Sequence, residues 1–187
     1  MARNFSVTEF KSNLQFGGAR STLFQVQLTQ PTGLNLNLQK APFLVRSAQI
    51  PSSNLGIIPI PFFGRVVKMA GDRTFEAWTV TIINDEDFAI RNALETWSNS
   101  INNMRGNTRL GTAQNLSYKA TAAVTQYSKN GDILRVYNFE GLYPSNIGAI
   151  DLSWSNVDQI EEFQVTFEYD NWVVVPFGLA KAFTNQG

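Results

Sequence analysis

The chain has 187 residues, which is long enough for one domain with a substantial buried core. Its fifteen basic and fifteen acidic side chains cancel, and no Lys or Arg residues cluster, which argues against a dedicated nucleic-acid-binding protein. It contains no cysteine and no histidine, which excludes disulfides, thiol nucleophiles, Cys-ligated metals and histidine-based proton transfer.

The two ends of the chain differ in character from its middle. Residues 1–20 are polar with isolated apolar side chains, so we expect an N-terminal arm that can form a short amphipathic helix over residues 7–14. A β domain over residues 21–172 and a C-terminal extension over residues 173–187 follow. The N-terminus lacks the apolar core of a signal peptide, and every apolar run is short. We therefore expect a soluble protein, made in a cytoplasm, with no membrane partner.

Period-two alternation marks the first strands of the β domain. Apolar and polar side chains alternate over residues 23–29 and again over residues 34–38, with a Pro-Thr-Gly turn between them. We expect these two runs to form a hairpin. Residues 43–50 are predicted to form a further strand, which Pro51 ends.

A proline-rich apolar stretch, residues 51–63, follows this strand. Its prolines at positions 59 and 61 cannot donate to a ladder, so it is predicted to be an edge strand or an extended loop. An apolar edge left uncovered would aggregate. Either the stretch folds back on its own core, or Ile58, Ile60 and Phe62 contact another subunit.

Residues 70–104 contain a strand that leads into the one long predicted helix. Residues 65–70 form a short strand before it, and Gly71, Asp72 and Arg73 are predicted to form a charged turn. The next strand should bury one face and pack it against one face of the helix, whose apolar residues recur every three or four positions. The predicted helix–sheet core consists of Trp78, Val80, Ile82, Leu94, Trp97 and Ile101, with the helical stripe continuing to Met104.

The start of this helix also has a sequence signal. Asn84 is predicted to be the N-cap, and residues 85–87 are all acidic, as the positive end of a helix dipole favours.

The second half of the chain contains strands separated by turn signals. After a polar loop at residues 105–115, strands are expected at residues 118–128 and 133–140, around Asn130-Gly131. A short strand near residues 150–154 and a strongly alternating strand at residues 162–169 follow. With eight or nine strands and one long helix, the predicted class is mainly antiparallel β, a barrel or sandwich with one helix packed on it.

The outward faces of the predicted strands are mostly neutral amides and hydroxyls. They belong either to an ordinary solvated sheet or to a surface that faces other strands or a confined aqueous channel. The residues are Gln25, Gln27, Asn35, Asn37, Thr79, Thr81, Thr121, Thr125, Gln164 and Thr166.

No constellation of residues indicates catalysis. Glu161 and Glu162 are adjacent on a predicted strand and point to opposite faces, so they are a poor acid–base pair. The carboxylates at residues 85–87 are better explained by the helix start, and neither a calcium-binding spacing nor a phosphate-cradling glycine loop is present. We expect no enzyme activity, no cofactor and no metal.

Three segments carry a resemblance to a known family. They are residues 70–97 (AGDRTFEAWTVTIINDEDFAIRNALETW), residues 118–131 (YKATAAVTQYSKNG) and residues 139–172. In this order they resemble the tail tube proteins of T4-like contractile-tailed bacteriophages. The resemblance spans residues 23–172, whereas residues 1–20, 32–63 and 173–187 fall outside what it covers well.

This resemblance implies a virion protein whose function is structural. Six protomers would join their sheets into one ring barrel, and the rings would stack into a hollow tube inside a contractile sheath. A tape measure protein would occupy the tube before DNA passes through it without specific binding, and a baseplate initiator and a tail terminator would bound its ends. Secretion-system inner tubes are similar to this family.

The subunit-interface candidates that follow lie in the most specific matching motifs and in the proline-rich stretch. They are Gly71, Asp72, Arg73, Asn84, Asp85, Ile58, Ile60 and Phe62. Alternative functions are a tube-initiating or tube-terminating tail protein and the inner tube of a phage-derived secretion or injection device. Outside this class, the alternative is a β-sandwich carbohydrate-binding module or glycosidase, which would need exposed aromatics on one sheet face.

Overall fold

The structure of the protein, a computed structural model, describes residues 6–14, 18–109 and 117–175. In that part of the chain the helices are α1 (Val7–Asn13), α2 (Ala41–Leu44) and α3 (Ala89–Ile101). The strands are β1 (Phe24–Leu28), β2 (Val45–Ala48), β3 (Asn54–Phe62), β4 (Arg65–Thr74), β5 (Trp78–Ile83), β6 (Ala120–Tyr127), β7 (Ile133–Ile147), β8 (Glu162–Glu168) and β9 (Asn171–Val175).

Seven of these strands form one antiparallel sheet in the order β1-β6-β7-β8-β5-β2, with β9 paired to β7. The first half of β7 pairs with β6 and β9, and its second half pairs with β8. Gly141, with a φ of +70°, lies between the two halves, where the strand changes partner. The long strand therefore belongs to two packed layers, and β3 and β4 form a separate two-stranded sheet.

The core lies between the two layers and under α3. Trp78, Val80 and Ile82 alternate with more exposed residues along β5 and are buried. The Trp78 ring stacks on that of Phe139 from β7, with centroids 4.4 Å apart, which joins the two layers. The prediction of a mainly antiparallel β fold with a helix packed on it is confirmed, but the described strands of one chain do not close into a barrel.

Helix α3 packs on the sheet through one face. Ile90, Leu94 and Trp97 are buried, and Ile101 is partly buried against the core. The indole Nε1 of Trp97 donates to the carbonyl oxygen of Tyr118 at 2.7 Å, so its polar atom is satisfied inside the fold. The helix ends at Ile101, so the predicted continuation of the stripe to Met104 is wrong.

The predicted start of α3 is also wrong. Asn84 is not the N-cap, because the helix begins at Ala89, after Phe88. Phe88 has a φ of 51°, a left-handed conformation that cannot be continued as a right-handed helix. The residues 85–87 therefore precede the helix, although Asp87 Oδ1 still accepts a hydrogen bond from the Ala89 amide at 3.0 Å.

Two predicted strands in the first half of the chain differ from the structure. Residues 34–38 form no strand, because β1 pairs with β6 instead, although Leu36 and Leu38 are buried in the core. The predicted strand over residues 43–50 shortens to β2, because a short helix with Pro42 in its first turn occupies Ala41–Leu44.

The second half of the chain follows the predictions more closely. β6 and β7 form the expected hairpin around Gly131, whose φ is +88°, and β8 buries Phe163, Val165 and Phe167 on one face. The predicted strand near residues 150–154 is wrong, because β7 runs to Ile147 and residues 148–161 form an exposed loop.

The arms are described in part. Helix α1 forms where an amphipathic helix is expected and buries none of its residues. Residues 173–175, the start of the expected C-terminal extension, belong to β9. The remainder of that extension, residues 1–5 and 15–17 of the arm, and residues 110–116 of the predicted loop lie outside the described residues.

We predict that Trp97→Ala lowers the free energy of unfolding by about 3–5 kcal/mol, because it leaves a cavity between α3 and the sheet. Urea denaturation followed by circular dichroism measures this. Thr96→Ala, at an exposed position of the same helix, is the matched control and should change stability by less than about 0.5 kcal/mol. Equal stabilities of the two variants would contradict the bracing role of α3.

Candidate assembly interface

The β3–β4 hairpin forms its own two-stranded sheet, apart from the main one. Its ladder runs from Asn54↔Thr74 to Phe62↔Arg65. Phe63 and Gly64 form the turn, with φ values of 41° and 75°, as a type I′ turn requires. Of the two alternatives for residues 51–63, the structure therefore has an extended strand, and the stretch does not fold back on the core.

One face of this hairpin is apolar and uncovered. Ile58, Ile60 and Phe62 alternate along β3, and the residues directly across from them on β4 are Met69, Val67 and Arg65. The apolar side chains of this set are between 42% and 63% exposed. We call Ile58, Ile60, Phe62, Val67 and Met69 the hairpin face. A two-stranded ribbon with an exposed apolar face is marginal in water, so this face is suited to a partner.

Polar groups join the two legs of the hairpin at its base, and one of them, Trp172 of β9, ties that base to the main sheet. The carboxylate of Glu76 accepts hydrogen bonds from Asn54 Nδ2 at 2.7 Å and from Ser52 Oγ at 3.2 Å. The indole Nε1 of Trp172 donates to the carbonyl oxygen of Ser52 at 3.1 Å. These bonds set the direction in which the hairpin leaves the body.

The predicted turn at Gly71, Asp72 and Arg73 is wrong, because all three residues lie within β4. The backbones of β3 and β4 approach closely at Gly56 and Gly71, next to a shift in the strand register. A Cβ at Gly71 would lie 3.2 Å from the backbone carbon of Gly56, so glycine is favoured at both positions. Arg73 donates to Ser53 Oγ. The Asp72 side chain is exposed and makes no hydrogen bond or ion pair within the described residues.

The candidates Asn84 and Asp85 lie in a different place, at the end of β5. Asn84 Nδ2 donates to Glu161 Oε2 at 2.8 Å. Lys40 Nζ donates to Asp85 Oδ2 at 2.7 Å and also pairs with Asp87. The hydrogen bonds that Lys40 donates to Asp85 and Asp87 raise the pKa of Lys40, and the bond to Asp87 lowers the pKa of Asp87. Asn84 and Asp85 thus have partners within the chain, whereas nothing in the described part of the chain covers the hairpin face.

A second uncovered apolar surface lies in the loop of residues 148–161. Leu152, Trp154, Val157 and Ile160, which we call the loop surface, are each at least 70% exposed. The alternation of Ile150, Leu152 and Trp154 predicts a strand there, so the sequence did not identify it as a surface. Residues 148–161 contain three carboxylates and no basic residue, and this composition is the sequence signal that could have marked the segment as an exposed loop.

The apolar residues Val66, Val67 and Met69 of β4 were also missed as surface residues. Three of the four residues at positions 66–69 are apolar. Because consecutive strand residues point to opposite faces, this run puts apolar groups on both faces of β4. The exposed aromatics Phe62 and Phe63 lie at the tip of the hairpin, and Trp154 lies in a loop. They do not form the aromatic row on one body sheet face that a carbohydrate-binding module would need.

The edges and the outer face of the main sheet are open. β1 and β2 are its terminal strands, and each pairs on one side only within the described residues. The polar faces of β5 and β8 meet in register, with Thr79 opposite Thr166 and Thr81 opposite Gln164. Strands β1, β5, β6, β8 and β9 contain no Lys or Arg. No helix among the described residues is both long and apolar enough to cross a membrane.

A β-sandwich subunit with open edges, an uncovered hairpin and a polar sheet face poor in basic residues is typical of a protein that is completed by neighbouring copies of itself. A family model described as phage tail tube protein matches residues 7–175. The tail tube protein of Enterobacteria phage T4 is 34% identical over 155 residues, covering 82% of this chain and 90% of the phage protein. The chain therefore belongs to the phage tail tube protein family, whose members are components of the virion.

Solved structures share the fold. A chain in the cryo-EM structure of the anti-feeding prophage baseplate has a TM-score of 0.62 at 11% identity, covering 86% of this chain and 97% of that one. A chain in the sheath–tube complex of an extracellular contractile injection system has a TM-score of 0.57 at 14% identity, covering 92% of this chain and 99% of that one.

Proposed function

We propose that this chain is the repeating tube subunit of a contractile phage tail. Six copies form a ring by joining the open edges of their sheets, and rings stack into a hollow tube. The observation that carries the proposal is the match to the phage T4 tail tube protein over 90% of that protein's length. The open edges at β1 and β2 support it, because strand pairing between copies would satisfy their backbone groups.

The partners follow from this role. A sheath surrounds the tube, a baseplate protein initiates it, a terminator ends it, and a tape measure protein fills it before DNA passes through. The basic-free strands support a lumen that DNA traverses without specific binding, because each lysine or arginine there would hold a phosphate. The role is structural, with no catalysis, cofactor or metal.

A tube-initiating or tube-terminating protein is the second candidate, since a baseplate chain shares the fold. Negative-stain microscopy of the purified protein tests the choice. A repeating tube subunit should form long hollow tubes, whereas an initiator or terminator should stop at single rings or short stacks. The inner tube subunit of a secretion device would also form long tubes. Analysis of the parent particle separates this alternative, because a phage packages DNA and a secretion device carries protein.

The hairpin face should be required for tube formation but not for folding. We predict that Ile60→Ser combined with Phe62→Ser abolishes tubes in negative stain, because the variant removes apolar contact area between copies. Both side chains are exposed in the subunit, so the melting temperature should stay within about 4 °C. Leu134→Ser is the matched control, since Leu134 and Ile60 are both 42% exposed. It should form tubes.

We predict that Asp72→Ala also reduces tube formation. Asp72 has no side-chain partner among the described residues, so a loss of tubes with unchanged stability reports a contact between copies. Arg73→Ala should have the same effect, with a small loss of stability from its hydrogen bond to Ser53. Arg105→Ala is the control for removing an exposed charge. Tube counts in micrographs that match the wild type in all three variants would refute this contact.

A further inference from the structure

Two apolar surfaces of this subunit have no partner among the described residues: the hairpin face and the loop surface. Both consist of aliphatic and aromatic side chains, and both include a large aromatic residue, Phe62 on the hairpin and Trp154 in the loop. Aromatic residues of this kind anchor protein–protein contacts more often than other residues. Each surface therefore has the composition of an interface.

The two surfaces have opposite charge. The hairpin, from Asn54 to Thr74, carries three basic residues and one acidic residue, whereas residues 148–161 carry three acidic residues and no basic one. Arg65 and Lys68 on the hairpin form no ion pair within the described residues, and neither do Asp151 and Asp158 in the loop. The unpaired charges thus accompany the uncovered apolar groups on both surfaces.

The shapes of the two surfaces also fit. The hairpin is a narrow ribbon whose nine-residue strand β3 extends about 30 Å, far enough to reach a neighbouring subunit. The loop surrounds an open groove of about 390 Å³, which Asp151, Leu152 and Ile160 help to line. Acidic and apolar groups therefore line the same groove. On the hairpin, Arg65 lies directly across from Phe62, so a cation and an aromatic ring are side by side.

Contacts between like surfaces are disfavoured. Lys68, directly across from Pro59, lies on the other face of the hairpin. Two hairpin faces in contact would bring the Arg65 side chains of both copies together, and two loops would bring Asp151 and Asp158 together. Like charges placed against each other in an interface cost several kcal/mol. A contact between a hairpin and a loop covers the apolar groups of both surfaces and also pairs their opposite charges.

We propose that the hairpin face of one copy docks on the loop surface of a second copy, with Arg65 facing Asp151 and Asp158. The inference rests on the proposed function, since it names the surface to which the hairpin binds during tube assembly. The contact joins two different surfaces of identical chains, so each copy presents both a donor and an acceptor, and assembly can propagate.

Charge reversal with mixing tests this pairing. A hairpin variant carries Arg65→Glu, and a loop variant carries Asp151→Lys and Asp158→Lys. We expect each variant alone to form about tenfold fewer tubes than the wild type, or fewer still. An equal mixture of the two should recover tubes, because reversed hairpins then meet reversed loops and native hairpins meet native loops. A control with Arg105→Glu changes the charge by the same amount as the hairpin variant, at a site elsewhere, and should form tubes as the wild type does.

Cross-linking supplies a readout that does not require tubes. Because the chain has no cysteine, Ile60→Cys and Val157→Cys each introduce a single thiol. When the two variants, one with a size tag, are mixed with a short bismaleimide, we expect a mixed dimer and little dimer of either variant alone. A dimer of Ile60→Cys with itself at equal yield would show hairpin-to-hairpin contact and overturn the inference.

The two experiments separate the inference from the proposed function. Wild-type tubes together with normal tubes from both charge-reversed variants would overturn the hairpin–loop pairing and leave the tube function standing. A wild-type protein that forms no tubes would count against the tube function, and the mixed cross-link would then decide the pairing alone. Circular dichroism of every variant confirms that a loss of tubes is not a loss of fold.

Discussion

The packing of Trp78 between the two layers is the contact on which the rest of the subunit depends. Its ring stacks on Phe139 at 4.4 Å and lies 5.7 Å from Phe167, and Phe167 in turn lies 6.4 Å from Trp97 of α3. These four rings connect both layers and the helix. Large aromatic side chains bury more area than other residues, so this cluster alone can hold the two layers and the helix together as one rigid body. The Trp78 Nε1 also donates to the carbonyl oxygen of Gln49 at 2.8 Å, close to where the hairpin begins.

The rigid body matters because much of the apolar surface of this chain lies outside it. The hairpin face and the loop surface stay exposed, while a charged fraction of only 16% and a formal net charge of zero do little to keep single copies apart. Such a subunit is suited to an assembly, where neighbours cover the apolar groups and pair the open strand edges. The close approach of Gly56 and Gly71 and the bonds to Glu76 hold the two legs of the hairpin together near its base.

Several features could be predicted because they depend on neighbours in sequence. Alternation over β5 and β8 correctly indicated which residues face the core, and the spacing of Ile90, Leu94 and Trp97 indicated the buried face of α3. Other predictions failed where a distant residue decided the outcome. Leu36 and Leu38 alternate like a strand, but β1 takes its partner from β6, with Leu28 paired to Ala122, 94 positions further along the chain. Asn84 has the chemistry of an N-cap, but it bonds to Glu161 instead.

The sequence by itself determined the mainly β class, the helix–sheet core and the family, because periodicity and motif order are properties of contiguous segments. The tertiary structure decided which apolar residues are covered. Ile150, Leu152 and Trp154 alternate as strand residues do, yet nothing in the described part of the chain packs on Leu152 or Trp154. The hairpin, likewise, could be identified as extended from its prolines, but only the fold places it clear of the core. A local pattern can mark an apolar face, but whether that face is covered depends on segments far apart in sequence.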